Sequence, residues 1–320
     1  MPMSPSPVAV VIGLTSDGET TNGVATAGHP DPGAARPGLF APEAPTPGVT
    51  FSICVHEPYT DDEGTEQHRF GVAVTTRLAG VGTLCPFAGE HGAVATQSLV
   101  NIELGRKGVE YLADGLAVED ALEALLNADD GAENRQLHGV DADGSFVFSG
   151  EECKPWFGGH DGSDAVAGHY TVAGNLLTGE EVIEAVADAY EEHAPQRGAE
   201  SQAGAEGARE SVPPADGGPT DPDGDGAAPL PERLVEALAA GHEAGGDKRE
   251  ELTVQSAALV VEDTEERAFD RAYTDLRVDA TETPIADLRA TYELAVEGHA
   301  DAMAKYEGAY EEDAMSETSK

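Results

Sequence analysis

Strand-like and helix-like spacings alternate along the middle of this chain. Thr50-Phe51-Ser52-Ile53-Cys54-Val55 is a β-type run that opens directly after a Pro/Gly-rich stretch from Gly28 to Val49. Phe70 to Leu78 and Gly92 to Ser98 are short runs of small and β-branched residues bounded by glycines, and they read as buried strands. Arg106 to Asn127 has helical spacing, with Leu112, Leu116, Ala121, Leu122, Leu125 and Leu126 on one apolar stripe and a break at Gly115. Gln136 to Asp141 and Ser145 to Ser149 flank Asp143-Gly144, a hairpin turn signal. Val166 to Ala173 predicts another strand. Gly179 to His193 predicts an amphipathic helix whose first turn carries Glu180 and Glu181, favourable for the helix dipole. Pro231 to Glu243 reads as helix with a proline in its first turn, and Val254 to Glu262 as strand. Pro284 to Tyr306 reads as a long helix with Ile285, Leu288, Tyr292, Leu294 and Val296 apolar. Strands grouped with helices in this order predict a layered α/β or α+β domain.

Two segments lack any such pattern. Residues 1–49 are rich in Pro, Gly, Ala and Thr and hold too little apolar surface to form a core. They fit a propeptide, a disordered extension, or a start codon assigned too far upstream. Residues 194–229 are Gly, Pro, Ala, Glu and Asp with almost no aliphatic content, and read as a disordered acidic insertion. The ordered chain is therefore expected in two parts, 50–193 and 230–308, followed by an acidic tail at 309–320. Near the end of the insertion Asp221, Asp223, Asp225, Gly226 and Glu232 match the calcium-loop pattern D-x-D-x-D-G-x5-E. The entering helix is missing, because Pro213, Pro214 and Pro219 precede the loop and Pro229 and Pro231 interrupt it, so no metal is assigned.

Charge narrows the function classes. The 320 residues carry 61 acidic against 18 basic side chains, a formal net charge of −43. Such self-repulsion swells a compact protein in dilute salt, and halophiles use it for solubility; the acidity reads as adaptation to concentrated salt. The lysines (Lys107, Lys154, Lys248, Lys305 and Lys320) are scattered, and no basic stripe is available to neutralise phosphates. Nucleic acid and an acidic membrane surface are accordingly excluded as partners. The apolar run Val8 to Leu14 is too short to span a bilayer and lacks the positive flank of a signal peptide. Cys54, Cys85 and Cys153 have neither CxxC spacing nor an even count, and are expected as reduced, buried thiols in a cytoplasmic protein.

Thr50 is the residue with the most specific chemistry on offer. A threonine hydroxyl is a weak nucleophile until a base takes its proton, and a free α-amine on the same residue serves as that base. An α-amine has a pKa of about 7.7–8.0, so a useful fraction is neutral at working pH. The amine exists only where the chain begins, or is cut, between Val49 and Thr50. The plainer reading is that Thr50 opens a strand for its β-propensity.

Ordered blocks then carry a resemblance over Thr50 to about Leu294: T-F-S-I at 50–53, F-G-V-A-V-T-T-R at 70–77, G-A-V-A-T-Q at 92–97, R-Q-L-H-G-V-D-A-D-G at 135–144, C-K-P-W-F-G-G-H at 153–160, V-A-G-N-L-L-T-G at 172–179, G-G-D-K-R at 245–249 and Q-S-A-A-L at 255–259. In these the chain resembles the Ntn-hydrolase-like family called domain of unknown function 1028. The resemblance implies an α+β fold, a four-layer αββα sandwich of the Ntn-hydrolase type, with the nucleophile at the start of the first strand. Members begin at or near that residue after methionine removal, whereas 49 residues precede it here. N-I-E-L-G at 101–105, the extra residues between Arg249 and Gln255, D-A-T-E-T at 279–283 and the long insertion are further departures.

On that resemblance the catalytic residues are expected to be Thr50, Asn175 and Arg77. Asn175, in the Gly174-Asn175 pair, is the side-chain candidate for the oxyanion, or else a turn residue accepting positive φ. Arg77 ends the second strand, where a cation lowers an amine or hydroxyl pKa, or else is an exposed ion-paired arginine. For substrate binding the candidates are Gln97, His160, Asp247, Lys248, Arg249 and Ser256. The charged trio follows a Gly-Gly turn and suits a substrate carboxylate, or a surface ion-paired loop. Gln97 and Ser256 fit either a pocket or the satisfaction of buried backbone. His160 follows Trp156-Phe157-Gly158-Gly159, and with no HxH or HExxH spacing it reads as pocket lining or structure. Cys153 is assigned to the core. The expected activity is intracellular hydrolysis of a small amide or related C–N bond through a Thr50 acyl-enzyme, with a small-molecule substrate and no cofactor. Sandwich folds with exposed helical faces often pair, which is compatible with a homodimer. The alternatives are a non-catalytic Ntn-fold protein using its pocket for ligand binding or structure, and a partner- or calcium-binding protein acting through the acidic insertion.

Overall fold

The computed structural model describes residues 50–317 except 62, 196–227, 250 and 266–272, with side chains described to residue 306. The extension at 1–49, nearly all of the insertion and the calcium-loop aspartates lie outside the described residues.

Alternation in β1 (Thr50–Thr60) organises the molecule. Phe51, Ile53 and Val55 enter one buried apolar cluster while Cys54 enters another, so the strand is covered on both faces. It pairs antiparallel with β2 (Glu66–Thr76) on one side and β8 (His169–Asn175) on the other. With β7 (Phe157–Asp161), β9 (Gln255–Asp263) and β10 (Asp275–Thr281) these form a six-stranded sheet in the order β10-β9-β2-β1-β8-β7. A second sheet has the order β3 (Pro86–Gly89), β4 (Gly92–Gln97), β5 (Gln136–Val140) and β6 (Ser145–Ser149), again with antiparallel neighbours. Five helices complete the described residues, giving a mixed α+β protein with two antiparallel sheets: α1 (Ile102–Ala113), α2 (Val118–Asn127), α3 (Glu181–Glu191), α4 (Leu230–Glu243) and α5 (Pro284–Glu317).

Three apolar clusters divide the packing. Phe51, Ile53 and Val55 meet Val182, Val186, Leu234 and Leu238 of α3 and α4, with Ile285 and Leu288 of α5 joining them. Cys54, Val72 and Val74 of the larger sheet meet Ala93, Ala95 and Val140 of the smaller. Val94 and Leu137, on the reverse face of the smaller sheet, meet Leu104, Leu112, Leu122 and Leu126 of α1 and α2. The three cysteines are free and buried, and burial pushes the Cys85 thiol up to about 12.

Local signals set most boundaries. The Asn101 side chain accepts the Glu103 amide and caps α1, and Gly115 at φ 90° turns the chain into α2. The Asp141 carboxylate takes the Val118 amide at the start of α2 and, through its other oxygen, the Asp143 and Gly144 amides of the β5–β6 hairpin. Where the apolar pattern ends a helix at Tyr306, α5 continues to Glu317 through a segment rich in Ala and Glu. Strands β3, β7 and β10 go unpredicted by pattern. Pro86-Phe87-Ala88-Gly89 is too short, Phe157-Gly158-Gly159-His160-Asp161 too glycine-rich, and Asp275 to Thr281 too polar. All three lie at sheet edges, where pairing with a formed neighbour replaces intrinsic preference.

Candidate functional site

Thr50 occupies the first position of the central strand, 4% exposed, with Thr76 of β2 and Asn175 of β8 as its cross-strand partners. Its hydroxyl lies 3.4 Å from the Thr76 hydroxyl. Immediately beyond Thr50 another part of the chain fills the sheet. Leu177 bridges Asp247, the Thr178 amide donates to Gly246 O at 3.1 Å and the Lys248 amide to Leu176 O at 3.4 Å. On the β2 side the Arg77 amide donates to Asp247 Oδ2 at 3.0 Å. Residues 246–248 thus pair by backbone bonds with the chain leaving β8 and are tied through Asp247 and Arg77 to the chain leaving β2, and β1 starts at Thr50 between them.

Predicted residues gather around this cap. The Arg77 guanidinium donates to the carbonyls of Asp247 and Leu252, at 3.2 and 3.1 Å. It adds to burial in holding the His242 imidazole below its ordinary range. Arg249 and Asp247 form a buried ion pair at 2.9 Å, which fixes the loop's conformation, and the Lys248 ammonium bonds Pro155 O. Ser256 does a different job. Its hydroxyl accepts the Val81 amide and donates to Leu78 O, which ties down the turn after β2. His160 is exposed on edge strand β7, its ring 5.8 Å from that of Tyr170.

Asn175 and Gln97 belong to a polar cluster wholly buried between the sheets. Gln136 Oε1 accepts both Asn175 Nδ2, at 2.9 Å, and Gln97 Nε2, at 3.1 Å. Ser52 donates to Gln97 Oε1 at 3.1 Å and lies 2.8 Å from His138 Nε2, whose Nδ1 lies 2.9 Å from the Thr171 hydroxyl. Ser52 and His138 have the spacing of a nucleophile and its base. Both are fully buried and the serine proton is committed to Gln97, so the pair is a structural link. Asn175 is the last residue of β8, and the positive φ falls on the next residue, Leu176, at 55°. Among the described residues the other non-glycine residue with positive φ is Ser98, at 58°, which directly follows Gln97. A left-handed non-glycine residue costs roughly 1–2 kcal/mol, and such strain collects at functional sites. Ser52, Gln136, His138 and Thr171 were invisible as site residues to motif reasoning. The available signal was Gln136 and His138 at alternate positions of a strand whose opposite face carries Leu137: one polar face with no solvent to meet it.

Two buried histidines make stability depend on pH. Burial holds the His138 imidazole down at about 3. Burial, with His68 and His169 close by, does the same to His56. His56 Nε2 meets His68 Nδ1 at 3.0 Å and its ring stacks on Phe70. The unfolded chain protonates both near pH 6.5 while the folded chain refuses the proton down to about 3. Stability is thus complete above pH 6.5 and falls as the solution becomes more acidic, by about 2 kcal/mol per histidine at pH 5. Urea midpoints at pH 7 and pH 5 test this: His56→Phe should roughly halve the difference, and equal midpoints for the unsubstituted protein would refute it.

A groove of about 420 Å³ lies between α3, α4 and α5, with His193, Glu236, His242 and Arg289 among its walls; none of the predicted site residues lines it. Among the described residues no group of three or more His, Cys, Asp or Glu is placed to hold a metal ion, and no helix is long and apolar enough to cross a membrane.

A mixed α+β protein with a threonine at the capped start of its central strand is the class that fold and site define. The family of unknown function DUF1028 matches residues 50–288, and the chain belongs to that family. The crystal structure of protein SPO2555 from Silicibacter pomeroyi, itself described as DUF1028, is similar with a TM-score of 0.52 at 22% identity, covering 77% of this chain and 89% of that one. At that identity the likeness carries the fold alone. No curated protein matches the sequence.

Proposed function

We propose that this protein is an N-terminal-nucleophile hydrolase, a four-layer αββα sandwich that cleaves a small amide or related C–N bond. In this reading the neutral α-amine of Thr50 takes the hydroxyl proton as Oγ1 attacks the substrate carbonyl. Asn175 donates to the oxyanion, and collapse returns the proton to the leaving nitrogen as the C–N bond breaks. The same amine then activates water to release the acyl group from Thr50 as a carboxylic acid. The observation that carries the proposal is the ending of the central strand at Thr50, with residues 246–248 filling the ladder beyond it and Asn175 as its cross-strand partner. The strained residues after Gln97 and Asn175 add support. Arg77 is engaged with the cap and supplies positive potential beside it. Lys248, on the exposed side of the same loop, is the cation best placed for an anionic substrate group. The net charge of −43 supports adaptation to concentrated salt, so the assays belong in molar KCl, and the free buried cysteines support a cytoplasmic protein.

The amine is the point to test. Intact-mass and N-terminal analysis of the full-length chain purified from its native host should show a mature form that begins at Thr50. A chain that keeps any residue before Thr50 has no amine to act as base, and the non-catalytic reading of the fold would replace this one.

A further inference from the structure

We propose that Gln136 is a positioning residue that sets the polarity of the Asn175 amide beside Thr50, an inference that rests on Thr50 being the nucleophile. Two main-chain carbonyls fix the orientation of the Gln136 amide. Gln136 Nε2 lies 2.7 Å from Gly174 O and 3.2 Å from Gly158 O, and 2.9 Å from Ser149 Oγ. Main-chain carbonyls only accept, so the amide nitrogen of Gln136 must face them and its oxygen must face the other way. That oxygen meets Asn175 and Gln97, which must therefore both present their NH2 groups. The orientation then propagates. Gln97 turns its own oxygen to Ser52, Ser52 must donate to it, and the serine oxygen is left to accept from His138 Nε2–H. His138 Nδ1 in turn accepts from the Thr171 hydroxyl. A neutral imidazole has one donor and one acceptor nitrogen, which is what this chain of bonds requires.

All members of the chain from Thr171 to Asn175 are at most 1% exposed, so water offers no alternative partner and the polarity has no low-cost reversal. Asn175 spends one N–H on Gln136. Its second N–H and its Oδ1 have no hydrogen-bond partner among the described residues. The Thr50 and Asn175 side chains leave the same face of neighbouring strands, about 5 Å apart at Cβ. The spare N–H is therefore available to an oxygen developing charge on a carbonyl attacked by Thr50. Without Gln136 the amide has no fixed orientation, and its oxygen competes for the place of the donor.

The test is acetylation of Thr50 by p-nitrophenyl acetate. The Oγ1–acyl bond forms, the aryl ester bond breaks, p-nitrophenolate leaves and the Thr50 amine takes the hydroxyl proton. Mature protein is followed by colour and by peptide mass. Gln136→Met should lower the saturating acylation rate about 10- to 100-fold and move the half-saturating concentration less than about threefold. Because the residue acts through Asn175, the same substitution in an Asn175→Ala background should cost less than about twofold more. Gln136→Glu, whose carboxyl full burial should raise enough to stay protonated at pH 5, keeps a donor toward Gly174 and an acceptor toward Asn175. It should restore the rate to within about fivefold of the unsubstituted protein at that pH, and lose it as the acid ionises. Acylation of Gln136→Met at the original rate, or an undiminished loss in the Asn175→Ala background, overturns the proposal. Should Gln136→Met not fold, absence of rescue by Gln136→Glu overturns it. Failure of unsubstituted protein bearing Thr50 at its N-terminus to be acylated at that residue overturns the nucleophile reading instead, and this inference with it.

Discussion

Thr50→Ala is expected to lower acylation at residue 50, and turnover of any amide substrate, by on the order of 10³-fold or more. The substitution removes the attacking oxygen and keeps the amine, Asn175 and the cap of residues 246–248. It gives up one long hydroxyl contact to Thr76, at 3.4 Å, and one methyl group. The loss of stability should stay near 1 kcal/mol, so chemistry and folding separate cleanly. Thr50→Ser retains both hydroxyl and amine and should keep activity within about tenfold of the original. Turnover that survives in Thr50→Ala, measured on protein whose N-terminus is residue 50, would move the nucleophile elsewhere.

Glu57→Ala should produce the largest loss of stability, about 3–5 kcal/mol. Glu57 on β1 and Arg233 on α4 are each 3% exposed. Arg233 Nη2 donates to Glu57 Oε2 at 2.7 Å, its Nη1 donates to Oε1, and the Tyr190 hydroxyl of α3 donates to Oε1 at 2.8 Å. Burial by itself raises the Glu57 carboxyl, but the Arg233 guanidinium, helped by Arg69 and the Tyr190 hydroxyl, outweighs it and holds the group below the usual carboxylate range. Removing Glu57 takes the carboxylate away from a guanidinium buried between sheet and helices, and the desolvated charge left without that counter-ion is the main cost. Glu57→Met combined with Arg233→Met removes both charges at once and should recover most of the stability. Urea midpoints at fixed KCl concentration decide the matter: a double substitution as unstable as Glu57→Ala would mean that the ion pair contributes through something other than charge compensation.

The two predictions draw on parts of the chain that were unequally legible. Thr50 stood out because a β-type run begins abruptly behind a Pro/Gly-rich stretch, a contrast visible in one dimension. Glu57 and Arg233 lie 176 positions apart, and no local pattern joins an acidic residue in a strand to a basic one in a helix. Asn175, Gln97 and Gln136 all sit in family-like blocks, yet the bonds that join Gln136 to the other two emerged only when β5 was laid across β8. Ser256 illustrates the converse, since a motif serine turned out to bond the turn after β2.

Period and punctuation in the sequence determined the main strands, the helices, the break at Gly115 and the position of a threonine able to carry nucleophilic chemistry. They act over a few residues, where backbone preference and the spacing of apolar side chains are decisive. Tertiary structure alone decided the edge strands β3, β7 and β10, the cap of residues 246–248 beyond Thr50 and the hydrogen-bonded cluster around Gln136. These depend on which strands become neighbours and in what register, and register is set by burying whole faces together. A residue's place in that arrangement belongs to the face, and cannot be read from its own neighbours in the chain.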